Sequence, residues 1–177
     1  FWENQDVLMI GGYKDEDDFD NVRILEKEGF KFAFLSYTYS TNGLVKSSSS
    51  PLVIPYINDD DIIRQTAIAR EKAYFIFVSM HWGDEYQFKP NSEQKRVAQL
   101  LADCGVDAII GHHPHVIQPI EWLKGKNGNK TLCVYSLGNF VFDTDYQRAQ
   151  KYTENGMLVK LTFTPDSFTP RSISWWR

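Results

Sequence analysis

Two short runs of almost unbroken apolar residues stand out along the chain. Tyr74 to Met80 runs into His81-Trp82-Gly83, and Val106 to Gly111 runs into His112-His113-Pro114-His115. Runs of this length without polar alternation read as strands buried on both faces of a parallel sheet. Between them, Ser92 to Cys104 places Val97, Leu101 and Cys104 on one helical stripe, and Gly105 stops it. Strand, helix and strand make a βαβ unit, whose crossover is right-handed.

The flanking pattern is antiparallel. Val7 to Ile10 predicts a short strand, Val22 to Glu26 and Phe30 to Tyr37 a hairpin turning at Glu28-Gly29, and Asp15 to Asp20 a solvated loop or helical turn. Tyr39 to Pro55, rich in Ser, Asn and Pro, predicts a surface loop long enough to act as a lid. Asn58 to Lys72 predicts a helix, with Asp59, Asp60 and Asp61 at its start and Arg70 and Lys72 at its end, matching the macrodipole. Val116 to Leu123 pairs with Thr131 to Leu137 around a polar loop, and Gly156 to Thr164 with Phe168 to Trp175.

Composition narrows the function. The 177 residues suit one α/β domain, 1–177, with a sizeable core. A net charge of −4 with no basic face disfavours nucleic-acid binding. No apolar run approaches the roughly 18 residues of a membrane span. The chain opens Phe-Trp-Glu, without an initiating Met or a signal peptide, and reads as part or product of a longer polypeptide. Cys104 and Cys133 sit in apolar contexts and read as buried free thiols.

All 4 histidines lie just past the two buried strands, at the carboxyl edge where open α/β sheets bind ligands. Imidazole is the common nitrogen ligand of transition metals, so His81, His112, His113 and His115 are candidate ligands; the alternative is a polar turn whose histidines cap strand ends. Glu85 and Asp84 follow His81 as possible ligands, acceptors orienting it or solvated loop residues. Trp82 reads as a substrate wall or a buried anchor. Asn139 in Tyr135-Ser-Leu-Gly-Asn-Phe140 either reaches the same edge or only makes a tight turn. Ser136 is in no nucleophile elbow, because G-x-S-x-G is absent.

The segments H-W-G-x-E-Y at 81–86, I-I-G-H-H-P-H at 109–115 and Y-S-L-G-N-F at 135–140 resemble the bacterial capsule-synthesis (poly-γ-glutamate biosynthesis) family, itself similar to the calcineurin-like metallophosphoesterases. The resemblance covers residues 7 to 164. It implies the C-terminal part of a metallophosphatase-like α/β sandwich, with a βαβ centre and flanking antiparallel strands. It also implies a site for divalent transition metal (Mn, Fe or Zn type) that His81, His115 and one of His112 or His113 serve, Glu85, Asn139 and Trp82 standing in a supporting or substrate-binding role. The superfamily's D-x-H, G-D-x-x-D and G-N-H are absent, so the resemblance places the remaining ligands in an upstream part of the same protein and makes this site incomplete. The setting implied is the extracytoplasmic side of the cell envelope, with capsule-assembly machinery as partner. The substrate implied is an anionic capsule polymer or a phosphoester. A rival reading is a non-catalytic polymer-binding protein, with Trp82, Tyr86 and Trp122 lining a groove. A third, a hydrolase built on a single His-bound zinc, lacks a carboxylate ligand.

Overall fold

The computed structural model describes residues 5, 7–141, 152–164 and 167–176, the last stretch and residues 163 and 164 by backbone alone. Its elements are α1 (Glu16–Asp20), β1 (Arg23–Lys27), β2 (Phe30–Thr38), α2 (Asp59–Lys72), β3 (Phe75–His81), α3 (Ser92–Asp103), β4 (Ala108–His112), β5 (Ile120–Lys124), β6 (Lys130–Val134), β7 (Leu158–Thr164) and β8 (Ser167–Trp176). A six-stranded sheet runs β1-β2-β3-β4-β6-β5, and β7 pairs with β8 in a separate ribbon. The central strands β2, β3, β4 and β6 are parallel, and the edges β1 and β5 are antiparallel. The mixed α/β class with a βαβ centre read from the sequence is the one observed.

Local chemistry accounts for the element ends. Asn58 and Asn91 cap α2 and α3, each accepting from the backbone three residues on, and Gln94 completes a capping box at α3. The β1–β2 hairpin turns through Glu28 and Gly29, both at positive φ, 54° and 80°, the primed turn that matches strand twist. At the amino end of the sheet, Asp107 accepts from Ile76 N–H at 2.9 Å and from Arg70 at 2.8 Å. Burial pushes its carboxyl up, against the lowering pull of those two donors.

Strand alternation separates two faces. Ala33, Leu35 and Tyr37, Ile76, Val78 and Met80, Ile109, and Cys133 and Tyr135 face α2 and α3, meeting Ile62, Ala69, Val97, Ala98 and Leu101 in one buried cluster. The opposite face carries Phe32, Phe34, Phe77, Ile110, Leu132 and Val134. Here the β7 end of the ribbon packs Met157, Val159 and Leu161 over Ala108, Leu132, Val134 and Ile110. Both faces are therefore apolar, as the unbroken runs require, with helices on one and β-structure on the other.

Three expectations change. Val7 to Ile10 forms no strand, and Val7, Leu8 and Met9 are exposed; Arg23 donates to the Met9 carbonyl at 3.3 Å and a bridge joins Tyr13 to Val53. Strand β5 begins only at Ile120, because Pro114 and Pro119 bracket the approach and Pro119 offers no N–H; likewise β6 stops at Val134, short of Leu137. The 39–55 loop is no free lid along its whole length: Tyr13–Val53 and Thr38–Pro55 backbone bonds fasten its second half. Cys104 and Cys133 are free thiols.

Ile76 and Leu101 are both fully buried, so Ile76→Ala or Leu101→Ala costs about 2–5 kcal/mol by loss of contacts and cavity formation. Urea unfolding checks this, and a loss under about 1 kcal/mol for both would contradict the packing described.

Candidate metal centre

Parallel pairing of β3 with β4 sets Met80 opposite Gly111 and His81 opposite His112. Gly111 is required there, since a Cβ would run into the Tyr135 carbonyl and approach Trp82 Nε1 to 2.7 Å. Alternation then sends His81 and His112 to the face shared with Phe77 and Ile110, and Trp82 to the helix face. Trp82 is 2% exposed and donates from Nε1 to the Tyr135 carbonyl at 2.9 Å. It is a buried anchor and not a substrate wall.

A cavity of about 320 Å³ follows, lined by His81, His112, His113, His115, Leu137, Gly138, Asn139, Phe140, Met157 and Leu158. The His81 and His113 rings lie 4.6 Å apart and those of His113 and His115 6.0 Å apart. The four histidines thus meet at one place, as the βαβ pattern predicts.

The polar contacts at His115 determine its tautomer. Asn139 Nδ2 donates to the Thr153 carbonyl at 2.9 Å, which turns Oδ1 toward His115 Nδ1 at 2.8 Å. An amide oxygen only accepts, so in the neutral ring Nδ1 carries the proton and Nε2 the lone pair. That Nε2 lies 4.0 Å from Glu85 Oε1. Ligand atoms of Glu85, His113 and His115 all fall within 4.8 Å of one another. Two imidazoles and one carboxylate, with one ring oriented through its far nitrogen, form a donor set that fits a divalent transition ion. Asp84 is turned elsewhere, accepting from Asn91 at 2.9 Å.

Desolvation pushes the His81, His112 and His113 pKa values down, with neighbouring imidazoles adding to it: His115 at His81, and His81 at the other two. Near pH 7 these rings are neutral and hold free lone pairs.

Backbone conformation supports the same picture. His113, His115 and Tyr86 all have positive φ, 98°, 60° and 64°, a region uncommon for non-glycine residues, though less so for His than for Tyr. Tyr86 N–H donates to the Pro114 carbonyl at 2.8 Å, joining the two loops. A buried amide chain backs them: Gln94 donates to Gln118 Oε1 at 2.8 Å, and Gln118 donates to the Gln87 carbonyl at 2.8 Å.

Several of these residues carry no overt signal in sequence. Tyr39 follows β2, donates its N–H to the His81 carbonyl at 2.9 Å, and sets its ring 5.8 Å from His81 and 4.7 Å from His113. Its one clue is its place at the end of a third parallel strand. Gln94 reads only as part of a helix cap, and Gln118 reads as nothing in particular. Trp122 lies on the edge strand β5, away from the β3 and β4 ends that carry the histidines.

Similarity to known proteins agrees with the motifs. The family described as "Bacterial capsule synthesis protein PGA_cap" matches residues 1–144. The PGA biosynthesis protein CapA of Bacillus subtilis (strain 168) is 35% identical over 148 residues, covering 82% of this chain and 37% of that protein. The capsule biosynthesis protein CapA of Bacillus anthracis is 30% identical over 164 residues, covering 90% of this chain and 38% of that protein. The chain therefore spans well under half the length of these relatives. A hypothetical protein from Thermus thermophilus shares the fold with a TM-score of 0.53 at 18% identity, over 88% of this chain and 60% of that one.

The geometry sets a pH dependence and a steric limit. Because the folded pKa values of His81, His112 and His113 lie below the ordinary value near 6.5, the unfolded chain takes up protons first on acidification. Stability is therefore fully present above about pH 6.5 and falls below it until the folded rings protonate too. Thermal melts in chelator from about pH 8 to about pH 5.5 should show the loss, and it should shrink in the double variant His81→Gln, His112→Gln; an equal loss there would contradict the assignment. Separately, Gly111→Ala forces β4 away from Tyr135 and Trp82 and should cost about 1–3 kcal/mol, read by urea unfolding alongside quenched or shifted Trp82 fluorescence.

Proposed function

The chain belongs to the bacterial capsule synthesis PGA_cap family, and from that premise we propose that it supplies the histidine side of a metal-dependent, phosphoesterase-like hydrolase site in a protein of capsule (poly-γ-glutamate type) biosynthesis or export. The observation that carries the reading is the oriented His115, its Nδ1 held by Asn139 at 2.8 Å and its Nε2 4.0 Å from Glu85 Oε1. His113, His115 and Glu85 would hold the ion, with His81 and His112 beside them. Neutral imidazole with one carboxylate favours Mn, Fe or Zn over Ca or Mg. Such an ion, when bound, supplies Lewis-acid polarisation of a phosphoryl or acyl oxygen.

The chain's own residues do the rest. Asn139 fixes the proton on His115 Nδ1, so the ring presents one nitrogen only. Glu85 offers negative charge against a cation and turns away anionic groups that arrive without one. Leu137, Met157 and Leu158 form the apolar wall, which lowers the local dielectric and strengthens charge interactions within the cavity. Among the described residues Glu85 is the carboxylate grouped with the histidines, so this chain alone is suited to a single ion. The other ligands of a two-metal site would come from an upstream part of the same protein. We place the protein at the cell envelope, on the extracytoplasmic side, with an anionic capsule polymer or a phosphoester as substrate and the capsule-assembly machinery as partner.

A second reading keeps the ion and drops turnover. Exposed Tyr86 stacks on His115 at 5.9 Å and 27°, and exposed Tyr39 stacks on His81. An acidic protein meeting an anionic polymer through a bound cation, with aromatic side chains at the rim, would bind rather than cleave.

Calorimetric titration with Mn²⁺ and Zn²⁺ tests both. A single ion per chain is expected, weakened by about tenfold or more in His115→Ala and by about 10–100-fold in Asn139→Leu, where the ring loses its orienting partner. Little or no hydrolysis of a generic phosphodiester is expected from this chain alone. Two tight ions, or turnover lost in His115→Ala, would make these residues a complete enzyme. No ion at all would remove the metal reading, and polymer retention by the ion-loaded chain without hydrolysis in the full-length protein would favour the binding one.

A further inference from the structure

The segment 83–87, between β3 and α3, carries Glu85, and the residues on either side of it are tied down. Gly83, at φ 88°, packs on the Gln94 side chain, where a Cβ would come within 2.5 Å of Oε1. Asp84 accepts from Asn91, the cap of α3, at 2.9 Å. On the other side, Tyr86 N–H donates to the Pro114 carbonyl and the Gln87 carbonyl accepts from Gln118 Nε2, both at 2.8 Å. Two ties thus run to α3 and two to the loop that holds His113 and His115. Between them the Glu85 carboxylate stays half exposed, 4.0 Å from His115 Nε2.

Gln94 and Gln118, 1% and 2% exposed, join the two sets of ties, and the direction of their amides is forced from both ends. Asn91 N–H only donates, so Gln94 presents Oε1 to it at 3.0 Å and Nε2 to Gln118. The Gln87 carbonyl only accepts, so Gln118 presents Nε2 to it and Oε1 to Gln94 at 2.8 Å. Neither amide can flip without setting like groups against each other. Gln118 N–H also donates to the Ser136 carbonyl at 3.1 Å, which fixes its own place in the fold. The capping box of α3 is complete with Asn91 and Gln94 alone, so the helix makes no demand on Gln118. Its second bond serves the Glu85 segment.

We propose that Gln118 is a positioning residue. Through the Gln87 carbonyl it holds Glu85 within reach of the ion that His115 binds, and Gln94 holds Gln118 in turn. The proposal rests on the metal reading above, because the place of Glu85 matters to an ion only where one binds. Its physical content is that the separation of carboxylate and imidazole is set during folding. Without the amide, Glu85 swings into water, and an ion has to order it again on binding.

Calorimetric titration of the full-length protein with Mn²⁺ tests this in the unsubstituted form, Glu85→Gln, Gln118→Met and the double variant, the relevant site being the one that Glu85→Gln weakens. Methionine matches glutamine in length and removes only the amide. Gln118→Met should weaken that site by about tenfold or more, as loss of a ligand's supporting partner does. In the Glu85→Gln background the same change should cost less than about twofold, because the two act as one unit. An equal loss in both backgrounds, or no loss in Glu85→Gln, would overturn the proposal. A second arm needs no ion. In EDTA, amide hydrogen exchange at Tyr86 should be several-fold faster in Gln118→Met, a larger change than at Ile76 in β3; unchanged exchange at Tyr86 would overturn the tether. If Gln118→Met does not fold, Gln118→Asn, one methylene short of the Gln87 carbonyl, passes through both arms. Failure of the unsubstituted protein to bind Mn²⁺ removes the metal reading, and the exchange arm alone then decides whether Gln118 holds the segment.

Discussion

The register between β3 and β4 is the constraint on which the site depends. Parallel pairing places His81 beside His112, and period-two alternation fixes which face each neighbour takes. A slip of one residue would turn His81 into the helix core and Trp82 onto the face of Phe77 and the histidine cavity. Two interlocked features forbid it. Gly111 leaves just enough room for the Tyr135 carbonyl, and Trp82 Nε1 donates to that same carbonyl. The glycine, the tryptophan and the residue just past β6 thus form a single clamp beneath the histidines, and the polar edge above is only as well placed as this apolar packing allows.

How much of this was legible in the sequence depended on range. The βαβ unit was readable because its information is local: an unbroken apolar run ending at Met80, a helical stripe through Val97 and Leu101, and a second run ending at Gly111. The convergence of the histidines followed from the fold rule that the carboxyl ends of parallel strands share one edge. Trp82 was ambiguous until alternation could be counted from a known strand end. Val7 to Ile10 misled because an apolar tetrapeptide signals burial without saying against what, and among the described residues it meets Leu25 and Phe34 at the edge of a small cavity and has no strand partner. Tyr39, Gln94 and Gln118 act through contacts with residues far away in the chain, Tyr39 on the His81 carbonyl and Gln94 on Gln118, and no local pattern encodes such meetings.

The two faces of the sheet do different work. On the helix side the packing is closed and self-sufficient, from Ala33 to Tyr135. On the other side the same strands present phenylalanines in stacked pairs, leucine and isoleucine to a partly filled space that ends in imidazoles. Imidazoles at the end of an apolar trough sit where the effective dielectric is lower than in water, and desolvation favours their neutral form. The trough and the histidine cavity are linked, since Leu137, Met157 and Leu158 line both.

The strained backbone fits the same arrangement. Non-glycine residues at positive φ cost on the order of 1–3 kcal/mol each, and His113, His115 and Tyr86 all adopt such φ values within the two loops that form the site. The surrounding contacts over-determine them: Tyr86 N–H on the Pro114 carbonyl, Asn139 on His115 Nδ1, and the Gln94–Gln118 relay under the loops. The consequence is that ring orientation is fixed before any ligand arrives. A flexible loop would have to lose that freedom on binding, and affinity would fall accordingly. Here the sheet has already absorbed the cost in folding, which explains why buried amides and a tryptophan are committed to holding two short loops that themselves bury little.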